Sequence, residues 1–299
     1  MGIAPSLPPL HAAARAKDVD ALRSAVADTG ADLNAADGTS YGWPAIAYAA
    51  WSDFGDGVTL LARAGADVNR SAPRGFFSGG HSPMNVAAEY GALAATRALL
   101  AAGAAVDSTD QFGWTGAHFA ASRGHHAVLD ALADAGANLN ANTSAGLTPL
   151  QLAVRNEHEA AIAALLARPS LAVATVQAAL ELCVSEGHAK AIGPLLQGNA
   201  ARPTHLRLPA TALRSQAAAL ARLRDRAQAD ADAAVAVLAA AEPSKRSDAT
   251  KTLQQAREKV TALSTMVTAV ETAIMVDVAT RGHDGEGGGG GASGSGKDG

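Results

Sequence analysis

Short apolar segments separated by glycines fill the first 200 residues of the chain. Leucine pairs recur at Leu60–Leu61, Leu99–Leu100 and Leu165–Leu166. We interpret each pair as the apolar stripe of a short helix that packs against a neighbouring helix. Gly91 and Gly124 are expected to separate two such helices, and Gly103 is expected to adopt the positive φ of a helix C-terminus. The pattern therefore predicts a series of short helix pairs.

The pattern changes after Pro209, a residue that suits the first turn of a helix. An alanine-rich segment follows, and its larger apolar residues are Leu213, Leu220, Leu223, Val237 and Leu238. Residues 242–245 interrupt it, and a heptad series comes next: Leu253, Ala256, Val260, Leu263, Val267, Val270 and Ile274. Two arms of about 30 residues, each about 45 Å long at the rise of an α-helix, predict an antiparallel helical hairpin.

The first region repeats itself with a period of about 33 residues. The frame of Leu147–Ala153 recurs at Trp114–Ala120 and Ser82–Ala88, and less regularly at Pro44–Ala50 and Pro9–Ala14. A Ser/Thr-Pro start suits a helix N-terminus, where the hydroxyl caps free amides and proline fits the first turn. Because one unit cannot bury its own apolar face, successive units must stack.

A second landmark keeps the same phase over four units. It consists of a glycine and alanine, then an apolar residue and Asn or Asp, at Gly30–Asn34, Gly65–Asn69, Gly103–Asp107 and Gly136–Asn140. Two landmarks that stay in phase are a strong indication of a repeat array.

These motifs resemble the ankyrin-repeat family, most closely at Gly113–His118 and Gly146–Leu150. The resemblance implies L-shaped helix pairs, hairpin fingers and a concave binding surface. Gly116 and Gln151 stand where the family has proline and histidine, and Pro44 stands where threonine is usual.

A sixth, weaker unit around residues 182–196 is expected to cap the array. The expected organisation is all-α. It comprises an N-terminal segment (1–7), an ankyrin-repeat solenoid of about five to six units (8–200), a helical hairpin or coiled-coil region (201–281) and a disordered glycine-rich tail (282–299).

Composition and charge narrow the classes of function. Alanine supplies 75 of the 299 residues and aromatic residues only 4%, which favours closely packed small helices. The 201–281 region carries 12 basic and 8 acidic side chains without interleaved aromatics, too little to predict nucleic-acid binding. The single cysteine, Cys183, excludes a disulfide framework and is expected to be a buried small residue. No run of about 18 uncharged apolar residues predicts a transmembrane helix.

Histidine is the residue type that invites a metal hypothesis. His125, His158 and His188 occupy equivalent places in successive units. Equivalent residues of stacked helices lie roughly 10 Å apart, too far to share one ion, so we interpret them as parts of the interhelix turns. His11 and His118 are expected to hydrogen-bond between units. With no paired carboxylates, no Ser/His/Asp grouping and no phosphate loop, we expect no enzyme activity, metal or cofactor.

Large side chains on the finger loops are not needed for a core of alanine and leucine, so they are candidates for partner binding. Six of the 11 aromatic residues fall in predicted fingers, and others lie where first helices end on the implied concave face. The alternative is packing against neighbouring fingers. The predicted partner-binding residues are Tyr41, Trp43, Trp51, Phe76, Phe77, His81, Tyr90, Phe112, Trp114, Arg123 and Arg155.

The sequence therefore predicts a cytoplasmic, non-enzymatic protein–protein interaction module or scaffold. Its partner is expected to be another protein, not nucleic acid, held by the concave face and the fingers. A second interpretation is a structural or assembly protein that self-associates through the helical hairpin, residues 209–280. The hairpin could equally be a cap of the solenoid with no partner of its own.

Overall fold

The structure is a computed structural model that describes residues 7–28, 30–39, 41–73, 79–240 and 245–286. Within these residues the chain forms fourteen α-helices and one 3-10 turn, with no strand, so the predicted all-α class is confirmed. The helices are α1 (Pro9–Ala16), α2 (Val19–Ala27), α3 (Ala45–Trp51), α4 (Gly55–Arg63), α5 (Pro83–Glu89), α6 (Leu93–Ala101), α7 (Gly116–Arg123), α8 (His126–Asp134), α9 (Pro149–Arg155), α10 (Glu159–Leu166), α11 (Val173–Glu186), α12 (Ala189–Ala201), α13 (Ala210–Ala240) and α14 (Arg246–Glu286).

Five helix pairs stack in the first of two compact units, Met1–Leu182. The first helices contact one another in the order α1, α3, α5, α7, α9, and the second helices in the order α2, α4, α6, α8, α10. The predicted solenoid is therefore confirmed, with one helix pair for each repeat.

The first helices begin where the sequence pattern places their caps. The Ser82 hydroxyl accepts a hydrogen bond from the Asn85 backbone N–H, at 3.2 Å. Thr148 and Gln151 cap each other reciprocally, since the Gln151 N–H donates to the Thr148 hydroxyl and the Thr148 N–H donates to the Gln151 side chain. These local bonds explain why Ser or Thr precedes the first helices of the third, fourth and fifth units, α5, α7 and α9.

The interhelix turns of the third and fourth pairs use glycine because a larger residue does not fit there, whereas Lys17, Asp53 and Glu157 take the same positive φ in the other three pairs. Gly91 and Gly124 have φ of 70° and 79°. A Cβ on either glycine would lie 2.6 Å or 2.9 Å from the ring of His125 or His158, respectively. Those rings are held by the preceding unit, because His125 Nε2 lies 3.1 Å from the Glu89 carbonyl oxygen. The interpretation of these histidines as turn residues is confirmed, and each also ties two units together.

The second landmark forms a ladder of hydrogen bonds between units. Its last residue accepts a bond from a backbone N–H about one repeat further along the chain. The pairs are Asn34 with Asp67, Asn69 with Ala105, Asp107 with Asn138, and Asn140 with Ala172. An Asn or Asp is required at this place because its side-chain oxygen satisfies an otherwise free amide.

The second compact unit, Cys183–Gly299, contains the predicted hairpin of α13 and α14. In α13 the buried seam uses Leu213, Leu220, Ala227, Ala231 and Ala234, whereas Leu223 and Val237 are exposed. In α14 the buried side chains are Leu253, Leu263, Met266, Val267 and Val270. The predicted heptad therefore lies at the interface, and alanines supply much of the opposing surface.

The unit boundary differs from the expected one at residue 200. It falls between Leu182 and Cys183, because α12 packs against α14. The expected sixth pair is present as α11 and α12, joined at Gly187, and the boundary runs through α11, with 173–182 in the first unit and 183–186 in the second. Helix α14 extends to Glu286, five residues into the predicted tail. The rest of that tail, 287–299, lies outside the described residues. Cys183 is buried, as expected.

One helix is an exception to the expectation that no segment could span a membrane. By length and composition alone, Arg246–Ala279 is long and apolar enough to do so, the one such helix in the described part of the chain. Residues 261–278 carry only two charged side chains, Glu271 and Asp277. Helix α14, which contains this apolar run, packs against both α12 and α13.

Candidate partner-binding surface

The predicted residues form two aromatic clusters on the array, one around the second unit and one around the fourth. The first cluster lines a cavity of about 250 Å³, formed by Arg15, Tyr41, Trp43, Tyr48, Trp51 and Tyr90. We call it the ring pocket. Four of its six residues belong to the predicted set, whereas Arg15 and Tyr48 do not.

Trp43 forms an inner wall of the ring pocket and is only 7% exposed. Its ring centroid lies 5.4 Å from that of Tyr41 and 5.5 Å from that of Tyr48. Trp43, although predicted for partner binding, is therefore buried within the finger. It follows the packing alternative, because Tyr48 on α3 gives its indole a surface to pack against.

Tyr48 is anchored by a carboxylate of the finger. Its hydroxyl donates a hydrogen bond of 2.5 Å to Asp37, which also accepts from the Thr39 hydroxyl. Burial raises the pKa of Tyr48, and the bond to Asp37 raises it further. Burial opposes ionisation of Asp37 as well, but the bonds from Tyr48 and Thr39 outweigh it and lower the pKa of that carboxyl. The buried hydrogen bond from Tyr48 to the charged Asp37 carboxylate therefore holds the finger against α3.

The other side of the ring pocket comes from the ends of the first helices. Trp51, at the end of α3, meets Tyr90 edge-on with ring centroids 6.1 Å apart. The Arg15 guanidinium carbon lies 5.7 Å from the Trp51 ring centroid, a cation–π contact. Tyr90 is 51% exposed and Tyr41 is 47% exposed, so both form the rim of the pocket.

The second cluster gathers Phe112, Trp114 and His81 around α7. The Asp110 carboxylate accepts hydrogen bonds from the backbone N–H groups of Phe112 and Trp114, at 2.8 Å and 2.7 Å. Trp114 packs against Phe119 with centroids 5.1 Å apart, and His81 packs edge-on against the same ring at 4.9 Å. Phe112 is 55% exposed at the finger tip.

Charged groups connect this cluster with the helix ends. His81 lies 3.8 Å from a Glu89 oxygen and 3.7 Å from an Asp110 oxygen. Arg123, on the exposed end of α7, donates to Glu89 at 2.7 Å. Arg155 is exposed at the end of α9, outside both clusters.

Phe76 and Phe77 lie outside the described residues, so the structure does not place them. No group of three or more His, Cys, Asp or Glu side chains in the described ranges could hold a metal ion. His118 is committed to structure: its Nε2 lies 3.1 Å from the Ala141 carbonyl oxygen and 3.2 Å from that of Leu147, both in the next finger. Burial lowers the pKa of His118, which keeps its ring neutral. The expected hydrogen bond between units is confirmed.

The sequence contained a signal for Arg15, since Arg15, Trp51, Glu89, Ser122 and Arg155 occupy equivalent places in the last turn of successive first helices. Tyr48 offered no such signal. It stands at a helix-interior place, where an aromatic side chain is expected to belong to the core.

Comparison with known proteins covers part of the array. The family described as ankyrin repeats (3 copies) matches residues 84–173, which span α5 to α10. That stretch contains the second cluster's finger but begins after Tyr41, Trp43 and Trp51. No curated protein matches the chain.

Proposed function

We propose that the array binds a partner protein in the cytoplasm, because residues 84–173 match the ankyrin-repeat family, whose repeats generally mediate protein–protein interaction. The contact surface is the finger tips together with the concave face, where the first helices end. Ankyrin-repeat domains are typically non-catalytic interaction modules, and the proposal assigns no reaction to the chain.

One observation carries this proposal. Among the described residues of the array, three large apolar side chains are substantially exposed: Tyr41, Tyr90 and Phe112. All three belong to the residues that the sequence predicts for partner binding. Exposed tyrosine and phenylalanine next to arginine are typical of binding surfaces, because these side chains gain contact area at small entropic cost. Aromatic rings that remain about half exposed contribute little to the core of the array.

The rigid backbone around these residues supports the same conclusion. Asp110 holds two finger amides, and Asp37 holds Tyr48 beneath the second finger. Because the loops are already ordered, a partner pays little ordering entropy on binding, which favours affinity.

The test compares capture of interacting proteins by three forms of the full chain. The first is wild type and the second carries Tyr41→Ala, Tyr90→Ala and Phe112→Ala. The third is a control in which Arg63→Ala, Arg97→Ala and Glu159→Ala change exposed residues of the second helices α4, α6 and α10, outside both aromatic clusters. We expect the triple aromatic variant to lose proteins that both wild type and the control retain. Equal capture by all three forms would contradict the proposal.

A second function is favoured by a different observation. The hairpin region exposes its own apolar side chains: Leu223, Val235, Val237, Met275, Val276 and Val278. We propose self-association through residues 209–280 as the alternative. Light scattering of wild type and of a Met275→Ser, Val276→Ser, Val278→Ser variant tests it. A larger, concentration-dependent mass that the variant lowers supports assembly, and a concentration-independent monomer contradicts it.

A further inference from the structure

The ring pocket is shaped to surround a compact group. Its neighbouring ring pairs are inclined at 49°, 67° and 74°, so none of these pairs forms a parallel slot. A flat aromatic ligand prefers an offset-stacked partner. Mutually inclined rings around a cavity of this size instead suit a small head group, such as an ammonium or a guanidinium.

The electrostatics of the pocket favour a positive head group. The face of each aromatic ring carries partial negative charge. A carboxylate also adjoins each side, Asp37 behind Tyr48 and Glu89 beside Tyr90. After burial, these carboxylates are the largest contributions that raise the pKa of Tyr48 and Tyr90, whereas Arg15 and Arg123 act against them.

A cation already uses one of these faces. The Arg15 guanidinium lies over Trp51, while the side chain as a whole is exposed in the last turn of α1. An exposed arginine can move from the ring into water at a small cost in free energy, because water then solvates its guanidinium group. The pocket thus holds a resident cation that an incoming cation can replace.

We propose that the ring pocket binds the cationic head of a lysine or arginine in a basic segment of the partner protein, displacing Arg15. The inference rests on the proposed function and adds the chemistry of the partner. The charge of the array is complementary, since residues 1–182 carry 10 Lys and Arg against 16 Asp and Glu. An acidic array attracts a basic segment and accelerates its association.

The test uses the full chain with ¹⁵N-labelled tryptophan, which gives three indole N–H signals. The probe is a capped pentapeptide, Gly-Ser-Lys-Ser-Gly, titrated to 20 mM. Matched peptides carry norleucine or glutamate in place of lysine. We expect saturable shifts of the Trp43 and Trp51 signals with the lysine peptide, and at least five-fold weaker binding of the other two. Trp114, in the second cluster, is the internal reference and should not respond.

Three variants sharpen the result. Arg15→Gln should strengthen lysine-peptide binding about two- to five-fold, the factor that a cation–π contact at an exposed site represents. Tyr41→Ala should weaken binding by a similar factor. Arg97→Gln, which removes an exposed arginine of α6 outside the pocket, should leave it unchanged. All three residues are exposed, so the fold tolerates their replacement.

Several outcomes would overturn the proposal. Equal binding of the norleucine peptide would make the pocket a simple apolar site. Tighter binding of the glutamate peptide would show that Arg15 holds an anion. Weaker binding of the lysine peptide after Arg15→Gln would show that Arg15 does not compete for the pocket. No saturable shift with any peptide would make the rings internal packing only. In each case a loss of captured protein in the Tyr41, Tyr90, Phe112 variant would still support partner binding, so the two proposals fail separately.

Discussion

The fingers of the second and fourth units share the pattern aromatic-Gly-Trp, yet their tryptophans have different environments. Trp43 is buried between Tyr41 and Tyr48, whereas Trp114 packs on one side against Phe119 and stays partly exposed. The difference arises in the helix that follows. Tyr48 occupies the place equivalent to Phe119, and its hydroxyl bonds to the finger's own Asp37. Fingers that share the aromatic-Gly-Trp pattern thus form the ring pocket in the second unit and the second cluster in the fourth.

The largest expected effect separates the two tryptophans by stability. Trp43→Ala should reduce the free energy of unfolding by about 3–5 kcal/mol, because it empties a buried aromatic site. Trp114→Ala should cost about 1–2 kcal/mol, because part of that ring already contacts water. Urea unfolding followed by circular dichroism measures both. Equal losses would show that the two fingers do not differ in packing.

The next effect tests the bond that distinguishes the two helices. Tyr48→Phe should reduce the free energy of unfolding by about 1.5–3 kcal/mol, since it removes a hydrogen bond to a charged carboxylate. Phe119 shows that the equivalent place accepts phenylalanine. The variant should also flatten the loss of wild-type stability above pH 10. There the unfolded tyrosine ionises while the raised pKa of Tyr48 keeps the folded one neutral. Unfolding at pH 8 and pH 10.5 measures both effects, and an unchanged pH dependence would contradict this role.

A smaller effect concerns the histidine that ties the fourth finger to the fifth. His118→Gln should cost about 1 kcal/mol at pH 7.5, because Gln151 already caps Thr148 at the equivalent place of the next unit. Burial lowers the pKa of His118, so the unfolded chain binds the proton first as pH falls below about 6.5. Wild-type stability should therefore drop between pH 7 and pH 5, and the variant should lose less.

The control for this pH effect is Phe112→Ala, which changes an exposed side chain with no titratable group. It should leave the dependence of the urea midpoint on pH as in wild type. His11 is also buried with a lowered pKa, so part of the dependence should survive in the His118 variant. Complete identity of the His118→Gln and wild-type curves would contradict the assignment.

The smallest stability effect is expected at the finger tips. Tyr41→Ala and Phe112→Ala should each change the free energy of unfolding by no more than about 0.5 kcal/mol, because both side chains are about half exposed. This equality makes them a matched pair for the binding experiments. A large loss at either position would assign that ring to packing instead of recognition.

Much of the array could be predicted because its signals are local. Caps such as Thr148 and Gln151 lie three residues apart, and a glycine such as Gly91 marks an interhelix turn of positive φ. The exposed residues Tyr41, Tyr90 and Phe112 were found for the same reason, since finger tips and helix ends follow from the repeat phase.

Burial of individual side chains was harder to predict. Trp43 and Trp114 both follow an aromatic residue and a glycine, yet Trp43, which packs against Tyr48, is the more buried of the two. In the hairpin, Leu223 is larger and more apolar than Ala227, yet Ala227 faces the partner helix and Leu223 faces water. The rotation of a helix about its axis depends on the helix that it packs against. The hydrophobicity of the helix's own sequence does not encode that partner.

By itself the sequence determined the repeat period, the helix pairs, the hairpin and the family resemblance, because short-range hydrogen bonds and backbone preferences set these features within one unit. Tertiary structure alone decided that Arg15, Tyr48 and Tyr90 enclose one pocket. Those residues come from three different units, and the stacking of helices about 10 Å apart brings them together. A recognition site built across units can be seen only after the units are stacked.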